Sequence, residues 1–388
     1  MIAAFWISLG IVFYAFFGYG ILLYFLVKLR ILLKGKRRIP DNGGNWPAVT
    51  LIVAAYNEAD IIREKIANTL VLSYPQDNVS FIFVTDGSTD NTPAIIATYP
   101  QIKLLHQPGR GGKIAAVHRA MQRVDTEIVV FTDANTFLNK DALLNICRHY
   151  ADASVGAVSG EKRVSTENVG DATAGEGFYW KYESKLKTWD SELYSVVGAA
   201  GELFSIRTKL YEPVPADTIL DDFMISMLIA KQGYRIVYEP QAYATEGGSE
   251  NVQEELKRKI RIAAGGIQSI VRLKQMLNPF HNFVLSFQYI SHRVLRWTVT
   301  PFLMILALIL NIIIVTTLPS PVYNILLVCQ LLFYASSLLG WFFEKRHIKI
   351  KILFIPYYFC MMNYAVVAGL RRYFAGAQSA VWEKAKRR

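Results

Sequence analysis

Val49-Thr50-Leu51-Ile52-Val53-Ala54 runs directly into Ala55-Tyr56-Asn57-Glu58. An apolar, largely β-branched run that ends in polar residues reads as a buried strand whose last residues leave the sheet. The pattern recurs: Val79 to Thr85 leads into Asp86-Gly87-Ser88, Ile102 to His106 into a glycine-rich turn, and Glu127 to Thr132 into Asp133-Ala134-Asn135. Between these strands Ile61 to Leu72 and Ile114 to Val124 carry apolar residues at helical spacing, which is the βαβα order of a mostly parallel sheet. Ligands of such sheets bind outside the carboxyl ends of the strands. The polar loops are therefore expected to meet in one site.

Outward from this middle the composition changes. Of 388 residues 52% are hydrophobic and 19% charged, and 42 Lys+Arg less 31 Asp+Glu leaves +11. With a mean hydropathy of +0.24, the chain is too apolar for an ordinary soluble protein or a disordered one, and too charged to lie wholly in lipid. From Ile2 to Val27 no residue is charged, a run of about 26 residues that is long enough to cross a bilayer. It lacks the basic start and small-residue cleavage site of a signal peptide. Lys28, Arg30, Lys34, Lys36, Arg37 and Arg38 follow and by the positive-inside rule hold that side in the cytoplasm.

Three further apolar runs, Val294 to Leu318, Val322 to Phe343 and Ile352 to Leu370, fill the last quarter. Leu318-Pro319-Ser320-Pro321 joins the first two as a hairpin turn, and Glu344, Lys345, Arg346, Lys349 and Lys351 mark a cytoplasmic loop before the third. Four full crossings would put the basic tail, Trp382 to Arg388, outside, against the charge rule. Pro356 and Asn363 leave room for a tilted, broken or re-entrant third segment. Between Leu256 and Trp297, Lys257, Arg258, Lys259, Arg261, Arg272, Lys274, Arg293 and Arg296 alternate with apolar residues, as in a helix lying beside anionic headgroups or a basic solvated face. The expected organisation is a membrane helix at 1–33, an α/β domain at 48–250, an interfacial region at 251–293, a membrane region at 294–370 and a basic tail at 371–388.

Cys147, Cys329 and Cys360 lie far apart with no CxxC, and the six histidines form no HExxH. Neither a disulfide framework nor a zinc hydrolase is indicated. At the strand ends, Asp86 can accept from a base or ribose, although Asp-Gly-Ser is also a common turn. Asp133 and Asn135 offer hard oxygen ligands suited to Mg²⁺ or Mn²⁺, with a capped turn as the plain alternative. Gly109-Arg110-Gly111-Gly112-Lys113 opens a helix and can present amides and two cations to phosphate. It has neither P-loop spacing nor GxGxxG. Asp221-Asp222 precedes a helical pattern from Met224 to Lys231, a helix cap or a general base.

In this order the motifs resemble those of family 2 glycosyltransferases, in particular the membrane group of cellulose, chitin and hyaluronan synthases. The resemblance covers about Val49 to Gly266 and implies a GT-A-type, Rossmann-like α/β cytosolic domain between N-terminal and C-terminal transmembrane helices. It implies donor contacts from Ala55, Tyr56, Asn57, Glu58, Asp86, Gly112, Lys113, Asp133, Arg258 and Arg261. Asp133 and Asn135 sit where the family has a metal-binding DxD, with Asn135 replacing the second acid. Gly198-Ala199-Ala200-Gly201-Glu202 is similar to its acceptor segment, so Gly198, Ala200, Gly201 and Asp221 are expected at the acceptor. Leu220-Asp221-Asp222 resembles the catalytic TED-type motif, which makes Asp222 the base. The later QxxRW motif survives only as Arg258-Lys259-Ile260-Arg261-Ile262.

The activity implied by the resemblance is that of an inverting hexosyl- or N-acetylhexosaminyl-transferase of the inner membrane, its catalytic domain cytoplasmic. The expected partners are a UDP-sugar donor, a glycan or polyprenyl-linked acceptor, membrane lipid and polysaccharide-assembly proteins, with Mg²⁺ or Mn²⁺ as cofactor. A non-enzymatic sugar-nucleotide-binding component of polysaccharide assembly or export is the alternative that Asn135 and the altered Arg258 to Ile262 segment keep open. Tyr179, Trp180, Tyr182 and Trp189 form either an acceptor platform or core. Nucleic acid is not an expected partner, because the basic residues flank apolar runs and form no aromatic-interleaved groove.

Overall fold

The computed structural model describes residues 1–40, 43–164, 173–247, 252–346, 348 and 350–376, and leaves the side chains of 173–179 undescribed. Lys349, the tail from Trp382 to Arg388, the 250/251 boundary and the Tyr179 side chain lie outside the described residues. In chain order the main elements are α1 (Ile2–Lys34), β1 (Val49–Ala55), α2 (Ile62–Leu70), β2 (Val79–Asp86), β3 (Ile102–Gln107), α3 (Lys113–Met121), β4 (Ile128–Asp133), β5 (Thr136–Leu138) and β6 (Val155–Val164). There follow α4 (Thr173–Leu193), β7 (Leu203–Arg207), α5 (Asp221–Lys231), β8 (Arg235–Glu246), α6 (Val252–Arg272), α7 (Thr300–Thr317), α8 (Pro321–Lys345) and α9 (Lys351–Phe374).

The chain divides into two compact units. One, of Arg30–Ser165 and Lys187–Asn251, holds the sheet; the other gathers Met1–Leu29, Thr166–Leu186 and Val252–Gln378.

In the sheet unit eight strands pair in the order β3-β2-β1-β4-β7-β6-β8-β5. β1 runs parallel to β2 from Val49↔Val79 to Ala55↔Thr85, and parallel to β4 up to Ala54↔Asp133. This register lines up the carboxyl ends of three strands, so Tyr56, Asp86 and Asp133 leave the sheet at one edge. β7 runs antiparallel to β4, pairing Thr132 with Leu203. Reversal is what brings the residues preceding β7, Gly198 to Glu202, to that same edge. The strands are buried on both faces, with Leu51, Val53, Phe83 and Val130 at 0% exposure on one and Ile52, Val84 and Val129 at 1%, 0% and 0% on the other, and burying each such side chain contributes about 1.5–3 kcal/mol. α2 covers one face through buried Ile62, Lys65, Ile66 and Thr69, spaced i, i+3, i+4, i+7 as an inward stripe requires.

In the helical unit α1, α7, α8 and α9 are long and apolar enough to cross a membrane. α1 has a π-helical turn at Tyr14–Gly18. Such a turn releases backbone carbonyls from the helical ladder, and in an apolar setting they need other donors. Arg296 Nε donates to the Ala15 carbonyl at 2.9 Å and the Tyr182 hydroxyl to the Phe16 carbonyl at 2.8 Å. Phe5 of α1 packs with Ala307 and Ile314 of α7. The third C-terminal segment is one continuous helix through Pro356. Pro356 lies in the second turn of α9, where its missing N–H removes one bond of the ladder, to the Ile352 carbonyl, without ending the helix, and the Asn363 side chain donates to the Phe359 carbonyl at 2.9 Å.

Candidate active site

The strand-end loops are locked to one another before any ligand is considered. Asn57, with φ of 53°, is the one non-glycine residue at positive φ among the described residues, a conformation that Asn tolerates better than most. Its side-chain oxygen accepts from the Thr89 amide at 2.8 Å, and its own amide donates to Ser88 Oγ at 3.2 Å. The Glu58 and Ala59 amides donate to Thr92 Oγ1 and Asp90 Oδ2. Asn57 thus fastens β1 to the loop after β2.

An open cleft of about 690 Å³, its mouth included, lies at this edge and is lined by Ala55, Tyr56, Glu58, Asp86, Arg110, Gly112, Lys113, Asp133 and Asn135 among others. Eight of the residues expected at donor or metal therefore share one surface. Asn57 is not among the lining residues and acts on the loop after β2. The glycine-rich loop behaves differently from its expected role: the Gly111 and Gly112 amides donate to Asp86 Oδ2 at 2.8 and 2.6 Å instead of pointing at open space. A nearly buried carboxylate at the adjoining strand end needs donors, and these amides are the nearest. Arg119 adds a contact to Asp86 Oδ1 at 3.4 Å and donates to the Thr85 carbonyl at 2.9 Å. What the loop still offers an anion is Lys113, and Arg110, whose guanidinium stacks 3.8 Å from the centre of the Tyr56 ring.

Lys113 opens α3 and stands between the acids. Its Nζ is 2.8 Å from Asp133 Oδ1 and 3.7 Å from Asp221 Oδ2. Burial works to lower its pKa, but Asp133, Asp221 and Asp222 together hold the ammonium above the ordinary lysine range. Asp221 and Asp222 form the first turn of α5, where the helix dipole favours negative charge. Asp222 keeps some exposed surface, yet desolvation, then the charge of Asp221, push its carboxyl up to about 7 against the pull of Lys113. A second small recess, lined by Lys113, Asp133, Gly201 and Asp221, continues from this cluster.

The segment expected at the acceptor is clamped onto α5. The Ala199 amide donates to Ser226 Oγ at 2.9 Å, the Ala200 amide to Ser159 Oγ at 3.2 Å, and Ser226 Oγ donates to the Asp222 carbonyl at 2.8 Å. A Cβ on Gly201 would lie 3.0 Å from Asp222 Oδ2, which measures how closely this backbone approaches the base candidate. Gly198 has φ of +82°, and a Cβ there would stand 2.1 Å from Phe223 Cδ2. Gly198→Ala should therefore destabilise the chain by about 1–3 kcal/mol through strain and overpacking. Its thermal unfolding midpoint in detergent checks this, and an unchanged midpoint would contradict the close packing.

Arg258 and Arg261 belong to the helical unit, on α6, where Arg258 pairs with Glu255 at 3.0 Å. The aromatic cluster is divided: Tyr182 is engaged with the Phe16 carbonyl in the helical unit, while Trp189 belongs to the sheet unit. For Tyr182 this is a packing role.

Among the described residues no three His, Cys, Asp or Glu side chains are grouped to hold a metal by themselves. One carboxylate, Asp133, and Asn135 on the lining of the same cleft suit a hard cation that arrives with diphosphate oxygens and water. That donor set fits Mg²⁺ or Mn²⁺ carried by a nucleotide, and does not fit a resident zinc site.

Lys65 escaped sequence reasoning. It is wholly buried, and desolvation lowers its pKa to about 7 against the opposing charge of Asp133. The signal was present as a lysine at the inward spacing of Ile62, Ile66 and Thr69.

Comparison with known proteins bears on the fold that carries this site. Residues 50–214 match the glycosyl transferase family 2 model. Poly-beta-1,6-N-acetyl-D-glucosamine synthase of Staphylococcus aureus strain MSSA476 is 27% identical over 266 residues, 65% of this chain and 62% of the relative. The chain thus spans about three fifths of that relative's length. Beta-monoglucosyldiacylglycerol synthase of Synechocystis sp. is 32% identical over 164 residues, 41% of this chain and 33% of the relative. Among solved structures, the mannosyltransferase PcManGT from Pyrobaculum calidifontis, in complex with GDP-Man and Mn²⁺, superposes with a TM-score of 0.72 at 25% identity, covering 97% of this chain and 100% of that one. Residues 50–214 thus match family 2 glycosyl transferases, within a GT-A-like α/β fold, and the N-terminal and C-terminal regions of the chain carry helices long and apolar enough to cross a membrane.

Proposed function

We propose that the chain transfers a sugar, with inversion, from a UDP-sugar to a glycan or lipid-linked acceptor at the cytoplasmic face of the plasma membrane. The observation that carries the reading is the position of Lys113, which contacts Asp133 on the donor side and Asp221, neighbour of Asp222, on the other. One ammonium thus stands between the cleft suited to a nucleoside diphosphate and the acid suited to be a base. The acceptor hydroxyl would lie against the Gly198 to Gly201 segment, near Asp222. As its oxygen bonds to the anomeric carbon, the bond from that carbon to the diphosphate breaks; Asp222 takes the hydroxyl proton and Lys113 faces the growing negative charge. Asp86 holds the shape of the loop, and Tyr56 and Arg110 flank the cleft mouth. Asp133 and Asn135 would hold Mg²⁺ or Mn²⁺, which when bound supplies charge stabilisation to the diphosphate. The six basic residues after Val27 support the cytoplasmic orientation.

The relatives named above are synthases of an N-acetylglucosamine polymer and of a glucosyldiacylglycerol, and the structural neighbour carries GDP-mannose. The test is therefore a panel of UDP-sugars and GDP-sugars with Mg²⁺ or Mn²⁺ in membranes holding the purified chain. Release of UDP from a UDP-hexose or UDP-N-acetylhexosamine is expected, with an inverted anomeric configuration in the product. Release of GDP alone would overturn the uridine assignment. Metal-dependent binding without turnover, across glycan and polyprenyl acceptors, would favour the sugar-nucleotide sensor.

A further inference from the structure

Besides Lys65, three lysines are buried among the described residues, and of these Lys162 pairs with Glu202 and Glu246, and Lys259 with Glu255. Lys65 makes no such ion pair among the described residues, Asp133 acting on it only as a more distant charge, although it is wholly buried. An amine kept in such a place must be satisfied by neutral acceptors or be replaced by an apolar side chain at little loss. Its acceptors are specific. Lys65 Nζ donates to the Thr136 carbonyl at 2.6 Å and to Thr132 Oγ1 at 3.2 Å. These two threonines flank Asp133-Ala134-Asn135, so one amine from α2 holds both ends of the turn that carries the metal candidates. Thr136 Oγ1 donates in turn to the Asp133 carbonyl at 3.0 Å, which closes the turn on itself.

The same network reaches the acceptor side. Thr132 Oγ1 donates to the Glu202 carbonyl at 2.9 Å. Glu202 follows Gly201, whose backbone lies against Asp222. Lys65, Thr132 and Glu202 thus form a chain of hydrogen bonds between the donor turn and the residues that face the base. We propose that Lys65 is a positioning residue, which holds the Asp133 to Asn135 turn in register with the Gly201 segment so that a nucleoside diphosphate and its divalent cation bind at the productive distance from Asp222. This rests on the metal and donor roles proposed above. Lys65 touches neither substrate nor cation. It acts through Thr132 and Thr136, much as partners behind metal ligands fix the ligands' orientation.

The test uses the full chain in detergent and follows bound Mn²⁺ by paramagnetic resonance in the presence of UDP or GDP, whichever the wild type takes. Lys65→Met keeps the volume and removes the donor. Its unfolding midpoint should be retained while Mn²⁺-nucleotide affinity falls roughly 10–100-fold. Thr132→Val should weaken the same binding. Because the two residues share the Lys65–Thr132 contact, the loss in the double variant should be smaller than the sum of the two single losses. Wild-type affinity in Lys65→Met, or fully additive losses in the double variant, overturns the assignment. If Lys65→Met does not fold, Thr132→Val decides, and unchanged affinity there overturns it. Failure of the wild-type chain to bind Mn²⁺ with either nucleotide overturns the metal reading and this inference together, whereas loss of neither in the variants overturns this inference alone.

Discussion

Asp222→Asn should lower turnover about 10²–10⁴-fold, the usual contribution of a positioned general base, and leave donor affinity essentially unchanged. The substitution keeps the size of the side chain and removes only its capacity to take a proton, and Asp222 is not among the residues that line the donor cleft. The base must be ionised to act, and its carboxyl is pushed up to about 7. In the wild type kcat/KM should therefore rise with pH and level off above about 7. Asp221→Asn removes the neighbouring negative charge that favours the neutral form, so the rise should move to lower pH. Steady-state rates from about pH 5 to 9, bracketing the usual range of such titrations, paired with donor binding by calorimetry, check both statements. Full turnover in Asp222→Asn would remove the residue from the mechanism.

Lys113→Met should be almost as damaging, at about 10²–10³-fold in kcat, the range seen when one preorganised donor to developing charge is removed. Here the sign of the pH effect is opposite. Lys113 lowers the Asp222 pKa, so without it the rise in kcat/KM should shift to higher pH. Donor affinity should fall as well, since Lys113 lines the cleft and neutralises Asp133. This separates the two variants: Asp222→Asn spares donor binding and Lys113→Met does not. A Lys113→Met enzyme with an unmoved pH profile would show that the ammonium does not act on the base.

Much of the site was legible because parallel strands impose a simple rule. Once Val49 to Ala54, Val79 to Thr85 and Glu127 to Thr132 are recognised as neighbouring strands, their carboxyl ends must lie at one edge, and with them Tyr56, Asp86 and Asp133. The four apolar helices were legible for the same kind of reason, since length and lack of charge are local properties. Less legible was everything that depends on pairing between distant segments. The insertion of β7 between β4 and β6, antiparallel to both, has no local signature. Yet it is this reversal that carries Gly198 to Glu202 to the site. Nor could spacing say that the glycine-loop amides serve Asp86, because a free amide and a satisfied one look alike in sequence.

By itself, then, the sequence determined the kinds of element, the polar strand ends and the chemistry those ends can offer, because each depends on side-chain pattern over a few residues. Only the tertiary structure decided that Lys113 is shared by Asp133 and Asp221, that Asp222 is a weakened acid, and that Lys65 lies buried behind the Asp133 turn. Ion-pair distance, desolvation and hydrogen bonding all depend on which distant segments are packed together. Asp222 shows the difference most clearly, since any Asp-Asp pair can cap a helix, and it is the surrounding burial and the charge of Asp221, set against Lys113, that move its carboxyl into the range useful to a base at neutral pH.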